Sequence, residues 1–381
     1  VIPLGLSTTQ LADLHSTLTS NRSLQITVQP LTLNGTRLPD ISWRLLDGQV
    51  NVDYSAPVTR QCTLSLLDPN RTMDFDSDSP NDGAMYLDRM VQVNYSVRKP
   101  GGTQYTIPLF TGPVTKLNRN NDVVNIEAEG KESLAMGAAW TPATYRKGAL
   151  KTDVIRSVLA TRGGENKFTF EDSTSKLPTD YSIGRGNTPW GVAKHVANGM
   201  GMQLFYDGRG TARLRRFPQG SLYVFTQGDG GSVRSTPQVS YSSENLRNVI
   251  WVKGGVPAGA KKPIEVTLGA PSSHPLSASK LGRNGVPRYL METIEESSIM
   301  SQSEALKVAK VALDKALLQA VEVAFDSVPI PHLDPYDMVR VTTEDFSAAF
   351  YLSKFTIPLK VGSPMSVGYL KNVAVKGRRV R

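Results

Sequence analysis

The stretch PHLDPYDMVRV, residues 331–341, sets two prolines, a histidine and two aspartates directly in front of a run that alternates apolar and polar residues. It has two readings: a catalytic loop with His332 and Asp334 in working roles, or a turn that feeds a strand. Pro329 and Pro331 hold an extended approach, and Asp334-Pro335 starts a turn. Met338, Arg340 and Thr342 then alternate against Val339 and Val341, as a strand requires. The stretch is a corner between strands, and its surroundings decide what kind of β-domain it belongs to.

Downstream, AAFYLSKFTIPL and PMSVGYLKNVAV continue the strand pattern, and AVEVAFDS precedes it. Upstream, from Leu24 onward, LQITV, LTLNGTRL with an Asn34-Gly35 hairpin turn, QVNV, CTLSL, MVQVNYSV, YTIPLF and VVNIEAEG all have one apolar face at period two. Turns as dense as KPGG and NRNND between them predict an antiparallel β-barrel or sandwich over residues 21–135.

Residues 136–237 form a small α+β module. KTDVIRSVLATRGG carries Thr152 as cap, an apolar stripe of Val154, Ile155, Val158 and Leu159, and Gly163 as stop. NTPWGVAKHVANGM repeats that design with Thr188 as cap and Pro189 at the first helical position, and an Asp207-Gly208 turn then joins two strands. A second barrel is expected from residues 238–255 and 319–375, interrupted at 256–318 by a Gly/Pro/Ser-rich loop and the longest helix. That helix opens with a capping box from Ser301 to Glu304 and presents Leu306, Ala309, Leu313, Ala316 and Leu317 as its buried stripe. Residues 1–20 are an arm, with Leu11, Leu14 and Leu18 at helical spacing, and 376–381 a basic tail. The fold class is therefore mainly β with an α+β insertion: two similar antiparallel β-barrels, a mixed module and one long helix.

With 381 residues there is room for two to four domains, and the single cysteine, Cys62, excludes an internal disulfide and suggests a buried apolar role. No window supplies the roughly 20 apolar residues of a membrane helix, and residues 1–20 lack the basic-then-apolar layout of a secretory signal. A net charge of +9 makes a polyanionic partner worth testing, yet only Lys371, Lys376, Arg378, Arg379 and Arg381 concentrate it.

Chemical motifs are few. DFDSDSPND places Asp74, Asp76 and Asp78 like the start of a calcium loop, but Ser79 and Met85 stand where such a loop needs glycine and glutamate, so a solvated connection is expected. IGRGNTPWG and GDGGS lack the ending of a phosphate-binding loop, and there is no G-x-S-x-G, H-E-x-x-H or C-x-x-C. His15, His195, His274 and His332 are widely spaced, and TARLRRF, with Arg213, Arg215 and Arg216, reads as a solvated hairpin edge protected by charge. No residue is assigned to catalysis, to a cofactor or to a metal.

The order of the segments is more distinctive than any one of them. NLRNVIWVKGG, SIMSQSEALKVAKVAL, VPIPHLDPYDMVRV and FYLSKFTIPLKVGSPMSVGYL follow VNVDYSAPVTRQCTLSLLDPN and LFTGPVTKLNRNNDVVNIEAEGKESL, and the series, over about residues 21–375, resembles the hub proteins of bacteriophage tail tips. That family is similar to the baseplate hubs of contractile phages and the hub part of type VI secretion spikes. The resemblance implies a homotrimer whose two tail-tube-like barrels per chain make a pseudo-sixfold ring, matching a sixfold tail tube to a threefold tip. It implies as partners the distal tail or tail-tube protein, the tape-measure protein and other tail-tip proteins, with transient non-specific passage of DNA and no membrane insertion by this chain. The virion tail tip is the implied location, and His332 is expected to hydrogen-bond across a subunit boundary. The sequence to Arg381 shows none of the lysozyme, needle or oligosaccharide-binding extensions of some relatives, so any wall-degrading activity is expected to lie elsewhere. Competing expectations are a cell-wall hydrolase using Asp74, Asp76 or Glu171, and a carbohydrate-binding module using Trp43, Trp190 or Trp251.

Overall fold

The computed structural model describes residues 5–38, 44–71, 86–87, 89–137, 142–218, 220–241, 246–257, 259–297, 299–318, 321–344 and 347–372. Asp74, Asp76, Asp78, Trp43 and the basic tail lie outside these residues. The first half consists of α1 (Thr8–Thr19) and strands β1 (Ser23–Thr32), β2 (Arg44–Asp53), β3 (Arg60–Leu67), β4 (Arg89–Arg98), β5 (Gln104–Asn120) and β6 (Val123–Glu129). The module holds β7 (Ala143–Tyr145), α2 (Lys151–Gly163), β8 (Phe168–Phe170), β9 (Tyr181–Ile183), α3 (Pro189–Asn198), β10 (Gln203–Tyr206) and β11 (Ala212–Arg215). The remainder is β12 (Tyr223–Thr226), β13 (Gln238–Tyr241), β14 (Val249–Gly254), β15 (Glu265–Gly269), β16 (Met291–Glu296), α4 (Gln302–Leu318), β17 (Val321–Ser327), β18 (Met338–Thr342), β19 (Ser347–Pro358) and β20 (Met365–Asn372).

The mainly β, mainly antiparallel character expected from the period-two segments is present. The hydrogen bonding, however, joins the two halves rather than closing each one. A single twelve-stranded sheet runs β1-β4-β5-β6-β3-β2-β19-β20-β17-β13, with β18 branching from β19 and β12 from β18. The halves meet where β2 pairs antiparallel with β19, Val52 opposite Phe355 and Val50 opposite Ile357. One apolar core follows that sheet from Val93 and Ile126 in the first half to Phe325 and Leu352 in the second. β5 turns the sheet: residues up to Pro113 pair with β4 and those from Val114 onward pair with β6. Gly112 sits at the bend because a Cβ there would lie 1.9 Å from the Glu129 carbonyl oxygen.

Several expected assignments change. β14 leaves the large sheet for a three-stranded one, β15-β14-β16, because the α4 residues Ala305, Ala309 and Leu313 cover its Ile250 and Val252 face. The loop before α4 thus contains two strands. β12, counted with the module, pairs parallel with β18 of the large sheet. On α4 the buried stripe runs through Ala305 and Val308, whereas Leu306 is exposed. Ser301 Oγ does cap the Glu304 NH at 3.3 Å, but the Glu304 carboxylate turns away to Lys151 Nζ at 2.6 Å and to Ser175. At α2 the cap is Leu150, which makes no side-chain bond, and the left-handed stop is Gly164. Thr188 caps α3 as expected.

The amino-terminal helix is no free arm. A capping box at Ser7 and Gln10 starts α1, and Leu14 and Leu18, fully buried, enter the main core. Asp13 anchors it from outside, accepting hydrogen bonds from Lys99 Nζ at 3.1 Å and from the Tyr105 hydroxyl at 2.7 Å. Leu18→Ala is expected to cost about 2–5 kcal/mol, measured as a lower urea midpoint of the isolated chain; an unchanged midpoint would mean that α1 is not part of this core.

Candidate functional site: the buried turn at 331–337

The opening turn is closed by the Asp337 NH donating to the Asp334 carbonyl at 3.1 Å, with Pro335 and Tyr336 between them. Tyr336 has φ +60°, a left-handed conformation unusual for a bulky residue. Its ring is held by Tyr54 edge-on at 4.6 Å, by Phe217 at 5.6 Å and by Tyr351 at 6.1 Å between centroids. The Asp334 NH donates to Asp337 Oδ2 at 2.8 Å, and His332, Asp334 and Asp337 are all fully buried. A turn in the interior draws its polar partners from the protein itself, and they arrive from three directions.

From β3 comes Arg60, itself buried, whose Nη2 meets Asp334 Oδ1 at 2.5 Å and whose Nη1 donates to the Leu109 carbonyl at 3.1 Å. From β11 comes Arg215. Its Nη1 lies 2.9 Å from Asp337 Oδ1, its Nη2 donates to the Pro335 carbonyl at 2.8 Å and its Nε to Gln203 at 3.0 Å. Arg213 stands between two carboxylates, 3.8 Å from Asp334 and 3.9 Å from Asp207. Asp207 also accepts from the NH groups of Arg209 and Thr211, and burial together with the nearby Asp334 charge holds its carboxyl above the ordinary range against the pull of Arg60 and Arg213. Three guanidinium groups thus face three carboxylates in the interior.

The third direction is α1. His15 and His332 stack with centroids 4.9 Å apart and Nε2 to Nε2 3.0 Å, Tyr223 standing edge-on to both. That contact needs one ring to donate and the other to accept, so the two carry different tautomers at Nε2. Burial, with His15 adding to it, pushes His332 down to about 3, and burial lowers His15 as well.

This geometry decides between a catalytic loop and a turn that feeds a strand. His332 faces His15 and Asp334 faces Arg60, so neither reaches the other and neither reaches solvent; the pair lacks the access a general acid or base needs. The expectation that His332 bonds across a subunit boundary is not supported by the single chain, where its ring is fully buried and its Nε2 faces His15. The reading of TARLRRF as a solvated edge fails for a topological reason: β11 is the middle strand of β10-β11-β8, so Arg213 and Arg215 point into protein. Only Arg216 is exposed, paired with Glu171 at 3.4 Å, which occupies one candidate catalytic carboxylate.

Elsewhere, Cys62 is buried and its thiol is pushed far up by burial. His195 pairs with the buried Glu296, and His274 accepts from the Leu276 NH in a local turn. Trp190 is buried beside Tyr206, and Trp251 is half-buried on β14. Among the described residues no three His, Cys, Asp or Glu side chains come together to hold a metal ion.

No family model and no curated protein matches the sequence. Solved structures do match, at the level of the fold. A tail protein from Neisseria meningitidis MC58 is 10% identical over 91% of this chain and 96% of its own, with TM-score 0.60. The 43 kDa tail protein of prophage MuSo2 from Shewanella oneidensis is 14% identical over 91% and 98%, with TM-score 0.59. An E. coli component of the type VI secretion system, described as similar to T4 tail proteins gp27 and gp5, is 8% identical over 93% and 77%, with TM-score 0.50. The resemblance to tail-tip and baseplate hubs is therefore shown in the fold: this chain is built like phage tail proteins along nearly its whole length.

Two outcomes follow from the charges. Asp334→Asn leaves Arg60 buried without its carboxylate and is expected to lower unfolding stability by about 3–5 kcal/mol, whereas Arg60→Met combined with Asp334→Leu restores much of that loss; equal losses in urea titrations of the single and double variants would refute the pairing. A His332 pKa below its unfolded value of about 6.5 means that the unfolded chain binds more protons. Stability is then complete above pH 6.5 and falls as pH drops toward 3, a slope that His332→Phe should make shallower in urea midpoints taken at successive pH values.

Proposed function

We propose that this chain is the structural hub of a phage tail tip. Three copies form a ring in which the two β-rich halves of each chain act as two similar barrels, giving a pseudo-sixfold ring that adapts a sixfold tail tube to a threefold tip. The observation that carries the reading is the shared fold with phage tail proteins over 91% of the chain. The β2–β19 junction supports it, because a subunit that joins two symmetries needs its halves held in fixed relation, and here they share one sheet and one core. Ring partners in this reading are the distal tail or tail-tube protein, the tape-measure protein and other tip components. The lumen passes the tape-measure protein and then DNA without sequence recognition, and the location is the virion tail tip.

The chain's role is architectural and not enzymatic in this proposal. The carboxylates and histidines described above are engaged in structural pairs rather than set around an open cleft, which favours that side of it. No helix among the described residues is long and apolar enough to cross a membrane.

Light scattering behind size-exclusion chromatography is expected to give three times the 41.5 kDa chain mass, alone or after addition of the tail-tube partner. Class averages in negative stain should show threefold rings with six lobes of two alternating kinds. Six identical lobes, or turnover of cell-wall polymer abolished by a single Asp→Asn change, would overturn the reading.

A further inference from the structure

The connection from β15 to β16 carries a feature that the hub reading does not use. Residues Arg283 to Tyr289 are exposed without interruption, as a projecting finger. Its tip is a tight hairpin in which the Arg283 NH donates to the Val286 carbonyl at 3.1 Å and the Val286 NH to the Arg283 carbonyl at 3.0 Å. Asn284 and Gly285 both have positive φ, +54° and +78°, as a two-residue primed turn requires. The stem is fixed from below: the fully buried Asn248 donates to the Arg288 carbonyl at 2.9 Å and accepts from the Leu290 NH at 2.8 Å. The Arg288 NH donates to the Ala278 carbonyl at 2.9 Å.

The finger holds two kinds of side chain that water does not favour together. Val286 and Tyr289 are each 67% exposed, and Met291, outside the finger at the start of β16, is 53% exposed. Arg283 and Arg288 lie in the finger and Lys280 three residues before it, no Asp or Glu occurs between Glu265 and Glu292, and none of the three cations has an ion-pair partner among the described residues. An apolar, tyrosine-bearing tip with an unneutralised basic collar matches a lipid interface with anionic headgroups, which accepts aliphatic groups and tyrosine at one depth and cations just above it. Nucleic acid fits less well, since Tyr289 is the one ring of the finger on which a base could stack and the Val286 tip offers none. A protein partner would need a concave acidic pocket of matching shape, whereas a lipid surface needs none.

We infer that the Arg283–Tyr289 finger is a peripheral docking element for an anionic lipid surface. The contact belongs to the single chain and does not depend on ring formation.

Flotation of the full chain with vesicles tests it. Binding is expected to vesicles of equal parts phosphatidylcholine and phosphatidylglycerol, absent from pure phosphatidylcholine, and weaker as salt rises. Arg283→Ser with Arg288→Ser should reduce partition roughly 30-fold, about fivefold per arginine, and Tyr289→Ser should reduce it at unchanged net charge. Lys307→Ser with Lys360→Ser, equal in charge but away from the finger, should keep most of the binding, and melting temperatures show that each variant folds. No binding to anionic vesicles, or equal losses in finger and control variants, would overturn the inference. So would finger variants that lose oligonucleotide binding while keeping vesicle binding.

Discussion

Six ionisable side chains withdrawn from water at one point govern the arrangement of this molecule. Arg60, Arg213 and Arg215 balance Asp207, Asp334 and Asp337, and each ion costs several kcal/mol to desolvate. The cost is offset only when β3, the β10–β11 hairpin and the 331–337 turn stand in one mutual placement. These segments come from the first half, the module and the second half, far apart in the chain, so the joint ties together every part that the sheet alone would leave adjustable. Tyr336 in its left-handed conformation and Pro335 with its carbonyl on Arg215 show how tightly the turn is shaped to that purpose.

Further contacts hold the same parts from the outside. The fully buried Lys151 of α2 reaches Glu304 at the start of α4, and His195 of α3 reaches Glu296 at the end of β16, so the module is clasped to the small sheet and its helix at two places. Lys131 pairs with Glu165 at 2.6 Å, both largely buried, and ties the module to the end of β6 through the turn at 131–135. α1 completes the body by laying Leu14 and Leu18 on a core fed by both halves and by stacking His15 on His332. A helix that touches the central turn in this way is part of the joint and not an appendage.

What the sequence showed follows a simple division. Period-two runs such as VVNIEAEG and MVQVNYSV, the Asn34-Gly35 and Asp207-Gly208 turns and the Thr188-Pro189 helix start depend on local stereochemistry, and they appear where local patterns place them. Partnership across the chain is not local. β14 has the same apolar pattern whether a barrel or α4 covers it, and nothing in NVIWVKGG distinguishes the two. The central joint was hidden for the opposite reason: arginines alternating in a strand are usually solvent-facing, and only the placement of β11 between β10 and β8 reverses that. The signal that was available is the coincidence of two aspartates in a proline-bounded turn with a pair of arginines at period two, equal in number and opposite in charge.

Why such a joint should be ionic can be argued from what the alternative would lack. Apolar residues of similar volume would hold these segments about as strongly, since replacing buried ion pairs by well-packed hydrophobes is often neutral or stabilising. Stability is therefore not what the charges add. Apolar contact is non-directional, and β11 slipped by one residue would still bury Leu214 against something. With charges, the same slip presents Leu214 in place of an arginine and leaves carboxylates in the interior facing Arg60 alone. A one-residue error in a strand turns every side chain to the wrong face, and in this protein it would also strand ions away from water. The joint thus sets the register of the module against both halves.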